Sequence, residues 1–318
     1  MSIARSGIRS MLSKNVNIIS GPGCPVCVTP SSDINSVLEL VKRHDVIIAT
    51  FGDMVRVPSG GDSLQNYKNV KIVYNPLESL TLAKSNRDKE IVFIGVGFET
   101  TTPLIASVIK KAKADGIKNF SVLCMHKTVP AAIKAILDDK TSKIDGLILP
   151  GHVSAVTGSK YFDFIKSYKV TAAITGFEAK EILGSISIMV DNIEAEKHSV
   201  INNYRSVVTE NGNTVAMKTM YDIFKDTDSD WRGIGNIKLS GLRIRREYEE
   251  FDSLKRFNIK QKNIKEAKGC LCGNILMGKN DPVDCGHYGK TCTPSNPIGP
   301  CMVSSEGTCA AFYKYMRR

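Results

Sequence analysis

The last fifty residues of the chain hold six of its nine cysteines. These are Cys270, Cys272, Cys285, Cys292, Cys301 and Cys309. Four thiolates are enough for a tetrahedral zinc ion or for a cubane iron–sulfur cluster, so either site would leave two thiols over. Those two are either redox-active beside the metal centre or simply packed. Because six inert cysteines in so short a stretch would be unusual, the pattern predicts a metal or iron–sulfur centre.

The spacing of these cysteines is wide. Fourteen residues lie between Cys270 and Cys285, and six lie between Cys285 and Cys292. A zinc ribbon brings two close CxxC-type pairs to one ion, whereas wide spacing is better suited to the larger iron–sulfur cube. The spacing therefore favours iron–sulfur over zinc and leaves both open.

A second thiol motif, Cys24-Pro-Val-Cys27, lies near the other end of the chain and follows Gly21-Pro-Gly. A strand is predicted before it and a helix after it. Thiols at a helix N-terminus have a lowered pKa, because the helix dipole and the free N–H groups favour the thiolate. Two thiols at this spacing can form a disulfide or chelate a soft metal, so the motif predicts thiol redox or metal-holding chemistry.

Composition limits where such chemistry takes place. The 318 residues suggest two or three domains, and the sequence has neither an apolar run long enough for a membrane span nor a secretory signal. We therefore expect a cytoplasmic protein, in which clustered thiols more often bind metal or do redox work than form static disulfides. The net charge of +11 could attract nucleic acid, but aromatic residues make up only 7% of the chain, which favours a lysine-rich solvated surface.

Short Val- and Ile-rich runs alternate with amphipathic stretches up to about residue 180, which predicts an α/β fold with a mainly parallel sheet. The predicted strands are Val16–Ser20, Val46–Thr50, Val70–Tyr74, Ile91–Val96, Phe120–Met125, Gly146–Leu149 and Val170–Ile174. The predicted helices are Asp33–Arg43, Leu77–Ser85, Pro103–Ala114, Pro130–Asp138, Gly158–Ser167 and Ala179–Leu183.

Beyond this region the pattern changes. Residues 185–225 have helical spacing, Asp226–Arg232 is a polar stretch that predicts a linker, and Gly233–Glu250 is expected to be extended. We therefore predict an α/β domain with the CPVC loop over residues 1–95, a second α/β domain over 96–225 and a cysteine-rich domain over 226–318.

Polar side chains follow several of the predicted strands. The candidates are Asp53, Glu99, His126 and His152. In a parallel sheet such residues converge on the carboxyl edge, so we expect them to line a cleft around the CPVC motif as polar or proton-handling groups. Each of them has a simpler interpretation as a helix cap or a hydrogen-bonded core residue. No nucleotide-binding motif is present in the sequence.

Taken together, these segments resemble the HypD family of [NiFe]-hydrogenase maturation proteins. The resemblance covers nearly the whole chain and rests on Gly21–Cys27, Gly52-Asp53 with Arg56–Pro58, Gly97–Thr101, His126-Lys127, Gly151–Ser154, Thr175–Glu178, and Gly299–Gly307 with Cys309.

The resemblance implies two Rossmann-like α/β domains and a small domain that carries a [4Fe–4S] cluster. The implied cluster ligands are Cys270, Cys285, Cys292 and Cys309, and Cys272 competes with Cys270 for the first place. Cys24 and Cys27 are implied to be the redox pair that passes electrons or handles iron. The implied partners are the chaperone HypC, on which an Fe(CN)₂CO unit is assembled and transiently bound, and HypE, which carries cyanide made by HypF.

One feature differs from the family pattern. The family usually carries a Cys-Gly-Thr-His-Thr segment just before a stretch that resembles Met1–Arg5, and this sequence starts at that methionine. A late-assigned start codon or a truncation would account for the difference. As given, the chain is expected to fold and hold its cluster but to lack the cysteine and histidine implied to hold iron.

The leading hypothesis is a redox-active assembly scaffold for the iron unit of [NiFe]-hydrogenase, without a nucleic-acid or membrane partner. One alternative is a [4Fe–4S]-dependent thiol–disulfide reductase that resembles ferredoxin:thioredoxin reductase. A zinc-stabilised nucleic-acid-binding protein is a further alternative.

Overall fold

A computed structural model describes residues 1–262, 264 and 266–316. It confirms the predicted fold class, because two parallel sheets precede a cysteine-rich C-terminal region. The strands are β1 (Val46–Thr50), β2 (Val70–Ile72), β3 (Glu90–Gly95), β4 (Phe120–Cys124), β5 (Gly146–Pro150), β6 (Thr171–Thr175), β7 (Val200–Asn202), β8 (Phe224–Trp231) and β9 (Gly235–Ile244).

The α-helices in the described ranges are α1 (Ser2–Arg5), α2 (Ile8–Met11), α3 (Pro25–Val28), α4 (Ser31–Val41), α5 (Glu78–Ser85), α6 (Thr102–Ala114), α7 (Val129–Asp138), α8 (Gly151–Thr157), α9 (Ala179–Glu194), α10 (Thr214–Ile223), α11 (Ser253–Arg256), α12 (Cys272–Leu276) and α13 (Thr308–Tyr315). Short 3₁₀ segments lie at Gly52–Met54, Leu64–Asn66, Ser159–Tyr168, Arg246–Phe251, Pro282–Asp284 and Pro300–Met302.

The first sheet has four parallel strands in the order β2–β1–β3–β4. Its central strand β3 is buried on both faces. Ile91 and Phe93 face one apolar cluster, and Val92 and Ile94 face another. This explains why β3 reads as a continuous apolar run, since alternate side chains both enter a core.

The second sheet has three parallel strands in the order β5–β6–β7. Its central strand β6 is wholly buried, and α9 packs on it. The predicted boundary between residues 95 and 96 lies between β3 and β4, two neighbouring strands of the first sheet. The three-domain division stays a prediction.

The strands β8 and β9 form an antiparallel hairpin. The sequence interpretation of Asp226–Arg232 as a linker was wrong, because all but Arg232 of this segment lies in β8. Its acidic residues alternate on the exposed face. The segment is therefore polar in composition and has no apolar run that would indicate a strand. Trp231 ends the strand 1% exposed and donates its indole N–H to Ser240 Oγ at 2.8 Å.

The β8–β9 hairpin packs beside the first sheet. Its strand β9 runs along the segment after β4, where Thr128 N donates to Ser240 O at 2.8 Å and Leu242 N donates to His126 O at 3.0 Å. Arg232, which follows β8, donates its backbone N–H to Val28 O at 2.8 Å. The hairpin therefore joins the carboxyl edge of the first sheet to the end of α3.

Three further predictions were wrong. Val16–Ser20 is not a strand, because Val16 and Ile18 instead pack without strand partners against the cluster around Ile8. The predicted helix at Gly158–Ser167 is a 3₁₀ segment. The predicted helical stretch over residues 185–225 contains the end of α9, then β7 and α10.

None of the helices in the described ranges combines the length and the apolar character that crossing a bilayer requires.

Candidate functional site

The CPVC motif lies at the start of the short helix α3. Cys24 is the N-cap residue, its Sγ accepts a hydrogen bond from Cys27 N at 3.2 Å, and Pro25 takes the first helical position. The two cysteines form a disulfide with Cα atoms 5.3 Å apart. Cys27 is 0% exposed, so its chemistry depends on what packs against α3.

All six cysteines of the tail line one small cavity. Short structured segments carry them. Cys272 begins α12, Cys285 follows the turn Pro282–Asp284, and Cys309 lies in the first turn of α13. Cys292 Sγ accepts from Ile298 N at 3.4 Å. Prolines and tight turns thus place thiols from distant parts of the tail around one cavity.

Two of the six thiols pair with each other. Cys272 Sγ and Cys301 Sγ lie 2.9 Å apart, and both residues are buried. The hydrogen bond with Cys301 and the nearby Arg232 guanidinium lower the pKa of Cys272. The same bond, together with one to Cys309, raises the pKa of Cys301. Two of the six tail thiols are thus in direct contact with each other.

The other four thiols are Cys270, Cys285, Cys292 and Cys309. Burial raises the pKa of Cys270 to about 12, and the charges of Cys272, Cys285 and Cys309 add to this rise. Burial also raises the pKa of Cys292, with Cys309 and Cys285 adding to the effect. As thiolates these groups would repel one another, so the arrangement requires either protons or a cationic metal centre.

This donor set fits a thiolate-bound cluster, since four mutually interacting thiols surround one cavity. Within the described ranges, no three His, Cys, Asp or Glu side chains converge closely enough to hold a single metal ion.

The two thiol regions are in contact. Helix α3 packs against the turn Pro300–Met302, which carries Cys301. Arg232 is bound to the end of α3, because its Nε donates to Thr29 O at 2.8 Å and its backbone N–H donates to Val28 O. Cys27 and Cys301 consequently belong to the same buried cluster.

Asp53 lies in the 3₁₀ turn that follows β1 and is exposed. It accepts a hydrogen bond from Ser304 Oγ at 3.3 Å, and nearby Arg56 donates to Pro294 O at 2.8 Å. The carboxyl end of β1 therefore meets the cysteine-rich tail, which puts Asp53 on the tail side of the first sheet.

Glu99 and His126 lie at the carboxyl ends of the neighbouring strands β3 and β4, and both are buried. Glu99 Oε1 accepts from Val129 N at 2.9 Å and from Tyr161 OH at 3.2 Å. Burial raises the pKa of Glu99 to about 7. Burial, with a smaller effect of Lys127, lowers the pKa of His126 to about 3, so its ring stays neutral.

His152 lies elsewhere. It is exposed at the start of α8, after β5 of the second sheet, and its ring lies 4.1 Å from the ring of Phe177. The structure thus brings Glu99 and His126 to one edge and Asp53 to the tail, while His152 stacks at the edge of the other sheet.

The full-chain comparisons agree with this architecture. A family model described as HypD, hydrogenase formation hypA family, matches residues 1–316. The chain belongs to the HypD family.

Relatives with the name hydrogenase maturation factor HypD are similar over 99% of this chain. The Rhodobacter capsulatus protein is 42% identical and the Azotobacter vinelandii protein is 43% identical, each with 86% of its length covered. The Escherichia coli K12 protein is 38% identical, also with 86% covered. The resemblance stated from the sequence is confirmed.

In this member of the HypD family, sequence reasoning missed a buried ion pair. Lys127 is 2% exposed, its Nζ lies 3.8 Å from Asp33 Oδ2, and it donates to Ser229 Oγ and Asp230 O at 2.8 Å each. Burial raises the pKa of Asp33 and lowers the pKa of Lys127, and their mutual attraction opposes both shifts. The only sequence signal was the place of Lys127 next to His126, and Asp33 was predicted only to lie at the start of a helix.

A close backbone contact positions the HypD-family thiol pair. Gly233, with a φ of +71°, approaches Gly273, the residue after Cys272. We expect Gly273→Ala to lower the free energy of unfolding by about 1–3 kcal/mol, because its Cβ would meet the Gly233 backbone. Urea unfolding measures this, and Gly286→Ala is the matched control because its Cβ would meet nothing within 4 Å. Equal stability of the two variants would contradict the contact.

The raised pKa of Glu99 predicts that the stability of the protein falls as the pH rises. Its pKa rises from 4.5 to about 7 on folding, so the folded state holds the proton more tightly. The carboxyl group therefore lowers the free energy of unfolding progressively as the pH rises from 4.5 to about 7. Glu99→Gln should remove this loss, so the variant gains stability relative to wild type across that range. Urea unfolding at several pH values tests it, with exposed Glu194→Gln as the control. A wild-type-like profile in Glu99→Gln would refute it.

Proposed function

We propose that this HypD-family chain acts in hydrogenase maturation as a redox-active scaffold. With HypC it would assemble the Fe(CN)₂CO unit, which is cargo rather than a resident cofactor. The observation that carries the proposal is the contact between α3, with its Cys24–Cys27 disulfide, and the turn that presents Cys301 to the other tail thiols.

The proposed resident cofactor is a [4Fe–4S] cluster. Cys270, Cys285, Cys292 and Cys309 would hold it, because Cys272 and Cys301 already pair with each other. The Cys272–Cys301 contact supports Cys270, rather than Cys272, as the proposed first ligand. When bound, such a cluster supplies or accepts electrons singly.

The remaining thiols would carry electron pairs. If Cys272 and Cys301 are both reduced, thiol–disulfide exchange with Cys24–Cys27 leaves one disulfide and one dithiol, so atoms and electrons balance. The lowered pKa of Cys272 supports its role as the thiolate of its pair. The packing of α3 on the turn Pro300–Met302 supports exchange between the two pairs.

The polar residues would have separate roles. Glu99, with a pKa of about 7, can hold or release a proton near neutral pH, which disulfide reduction requires. His126 stays neutral and fixes the end of β4, where its Nδ1 lies 3.4 Å from Cys124 Sγ. Asp53 and His152 are exposed and are proposed to contact partners or cargo.

The proposed protein partners are HypC and HypE, the latter bringing cyanide made by HypF. No nucleic-acid or membrane partner is proposed. The names of the relatives refer to hydrogenase maturation and support this setting.

The second candidate, a [4Fe–4S]-dependent thiol–disulfide reductase, is favoured by the same disulfide beside a thiol cluster. The two functions differ in their partners. Capture of HypC by the tagged protein in a maturing cell supports the scaffold. Turnover of a disulfide substrate without HypC capture would support the reductase instead.

The thiol roles predict different losses for two variants. Anaerobic wild type should contain about four iron atoms and four sulfides and absorb broadly at about 400 nm. Cys285→Ala should lose both iron and colour. Cys27→Ala should keep both. With a Cys-Gly-Thr-His-Thr segment placed before Met1 in variant and wild type alike, it should abolish hydrogenase activity in a strain that lacks its own copy of this gene.

The matched control is Cys124→Ala, which removes a thiol outside the tail and should retain iron. Stoichiometric zinc in a colourless wild type would overturn the cluster. Wild-type hydrogenase activity with Cys27→Ala would overturn the redox role of the CPVC motif.

A further inference from the structure

A second cavity lies beside the thiol cavity and has no role in the function proposed above. It measures about 190 Å³, and Arg232 and Glu266 contribute its charged lining. The two cavities share Cys270, Cys272 and Gly299. The second cavity therefore borders the cavity of the proposed cluster.

Arg232 is an unusual residue in the lining of this cavity, because arginine is rarely buried. It is 5% exposed, its Nε is bound to Thr29 O, and its Nη1 donates to Ser31 Oγ at 3.1 Å and to Glu266. Its Nη2 is buried and has no hydrogen-bond partner in the described part of the chain. Because an unsatisfied donor on a buried cation is costly, the guanidinium is incompletely bonded even with Glu266 in place.

Glu266 only partly satisfies the guanidinium. Its carboxylate contacts Nη1 but also accepts from Ser31 N at 3.0 Å and Ser31 Oγ at 2.8 Å. Its side chain is 37% exposed, compared with 5% for the side chain of Arg232. Glu266 can therefore turn toward solvent at a modest cost, whereas Arg232 is held by α3.

We propose that this cavity binds a small, weakly hydrated monovalent anion at the guanidinium of Arg232, in place of the Glu266 carboxylate. Once Glu266 has turned away, the guanidinium offers free donors and one unit of positive charge, which match a single negative charge. Glycine, alanine, leucine and isoleucine make up most of the remaining lining. Strongly hydrated or divalent anions would lose more solvation free energy in such surroundings than they regain.

Thiocyanate is a suitable probe, and Trp231 is a built-in reporter. It is the sole tryptophan, it is buried and it directly precedes Arg232. The anaerobic full-length protein is titrated with thiocyanate at constant ionic strength, and Trp231 emission is followed. Line broadening of ¹³C-labelled thiocyanate provides a second readout. We expect saturable binding with thiocyanate and much weaker binding with sulfate.

Two variants should move the affinity in opposite directions. Arg232→Gln should weaken binding by about tenfold or more, since it removes a charge-assisted hydrogen bond. Glu266→Gln should strengthen binding, because it removes the competing carboxylate and keeps Arg232. Arg243→Gln, which changes an exposed arginine of β9, is the matched control and should leave binding unchanged.

Several results would refute the proposed anion site. A linear, non-saturating response shared by Arg243→Gln and Glu266→Gln would show a general salt effect. Equal binding of sulfate and thiocyanate would contradict the stated anion class. Arg232→Gln could unfold, which circular dichroism detects, and unchanged affinity in Glu266→Gln then refutes the proposal without it. Because none of these readouts requires HypC or hydrogenase activity, failure here is separable from failure of the proposed function.

Discussion

The packing of α3 on the turn Pro300–Met302 is the contact on which the site depends. It joins Cys27 to the turn of Cys301, 274 positions away in the sequence, and brings a buried disulfide beside a buried thiol pair. Arg232 holds the α3 side of this contact, through hydrogen bonds to the backbone of Val28 and Thr29. The β8–β9 hairpin positions Arg232 and Trp231, and backbone hydrogen bonds join the hairpin to the segment after β4. The first sheet, the hairpin and the tail thus form one supporting frame for the thiols.

Electrostatics explains why such a frame is needed. Buried thiols resist ionisation, and here neighbouring thiols add to the effect of burial in raising the pKa of Cys270 and of Cys292. A cationic cluster would reverse this by stabilising four thiolates, as proposed. The exception is Cys272, whose pKa is lowered by its bond from Cys301 and by Arg232. The structure thereby distinguishes one thiol pair from the other four, although all six line the same cavity.

Much of the fold could be predicted from local patterns. β1 was predicted with its observed bounds, because a strand buried on both faces leaves an unbroken apolar run. β8 was missed because only its ends, Phe224 and Trp231, are buried. Val16–Ser20 has a strand-like composition but no strand to pair with, and pairing is a tertiary property that composition does not encode.

The same distinction applies to the site. The thiol motifs and the strand-end polar residues were visible in the sequence, since residue type and spacing define them. The pairing of Cys272 with Cys301 was not, because it depends on how the tail folds back on itself. The partners of Lys127 and Arg232 are equally non-local. Asp33 lies 94 positions from Lys127 in the sequence, and Val28 lies 204 positions from Arg232.

The central claim is that electrons entering at the tail thiols reach the CPVC motif. The direct measurement is light-driven one-electron reduction of the anaerobic protein, followed by differential alkylation and mass spectrometry of Cys24 and Cys27. The account predicts that these thiols become free in wild type and stay disulfide-bonded in Cys285→Ala, which would lack the cluster. An equal yield of free thiols in both proteins, or none in wild type whose iron is reduced, would contradict it.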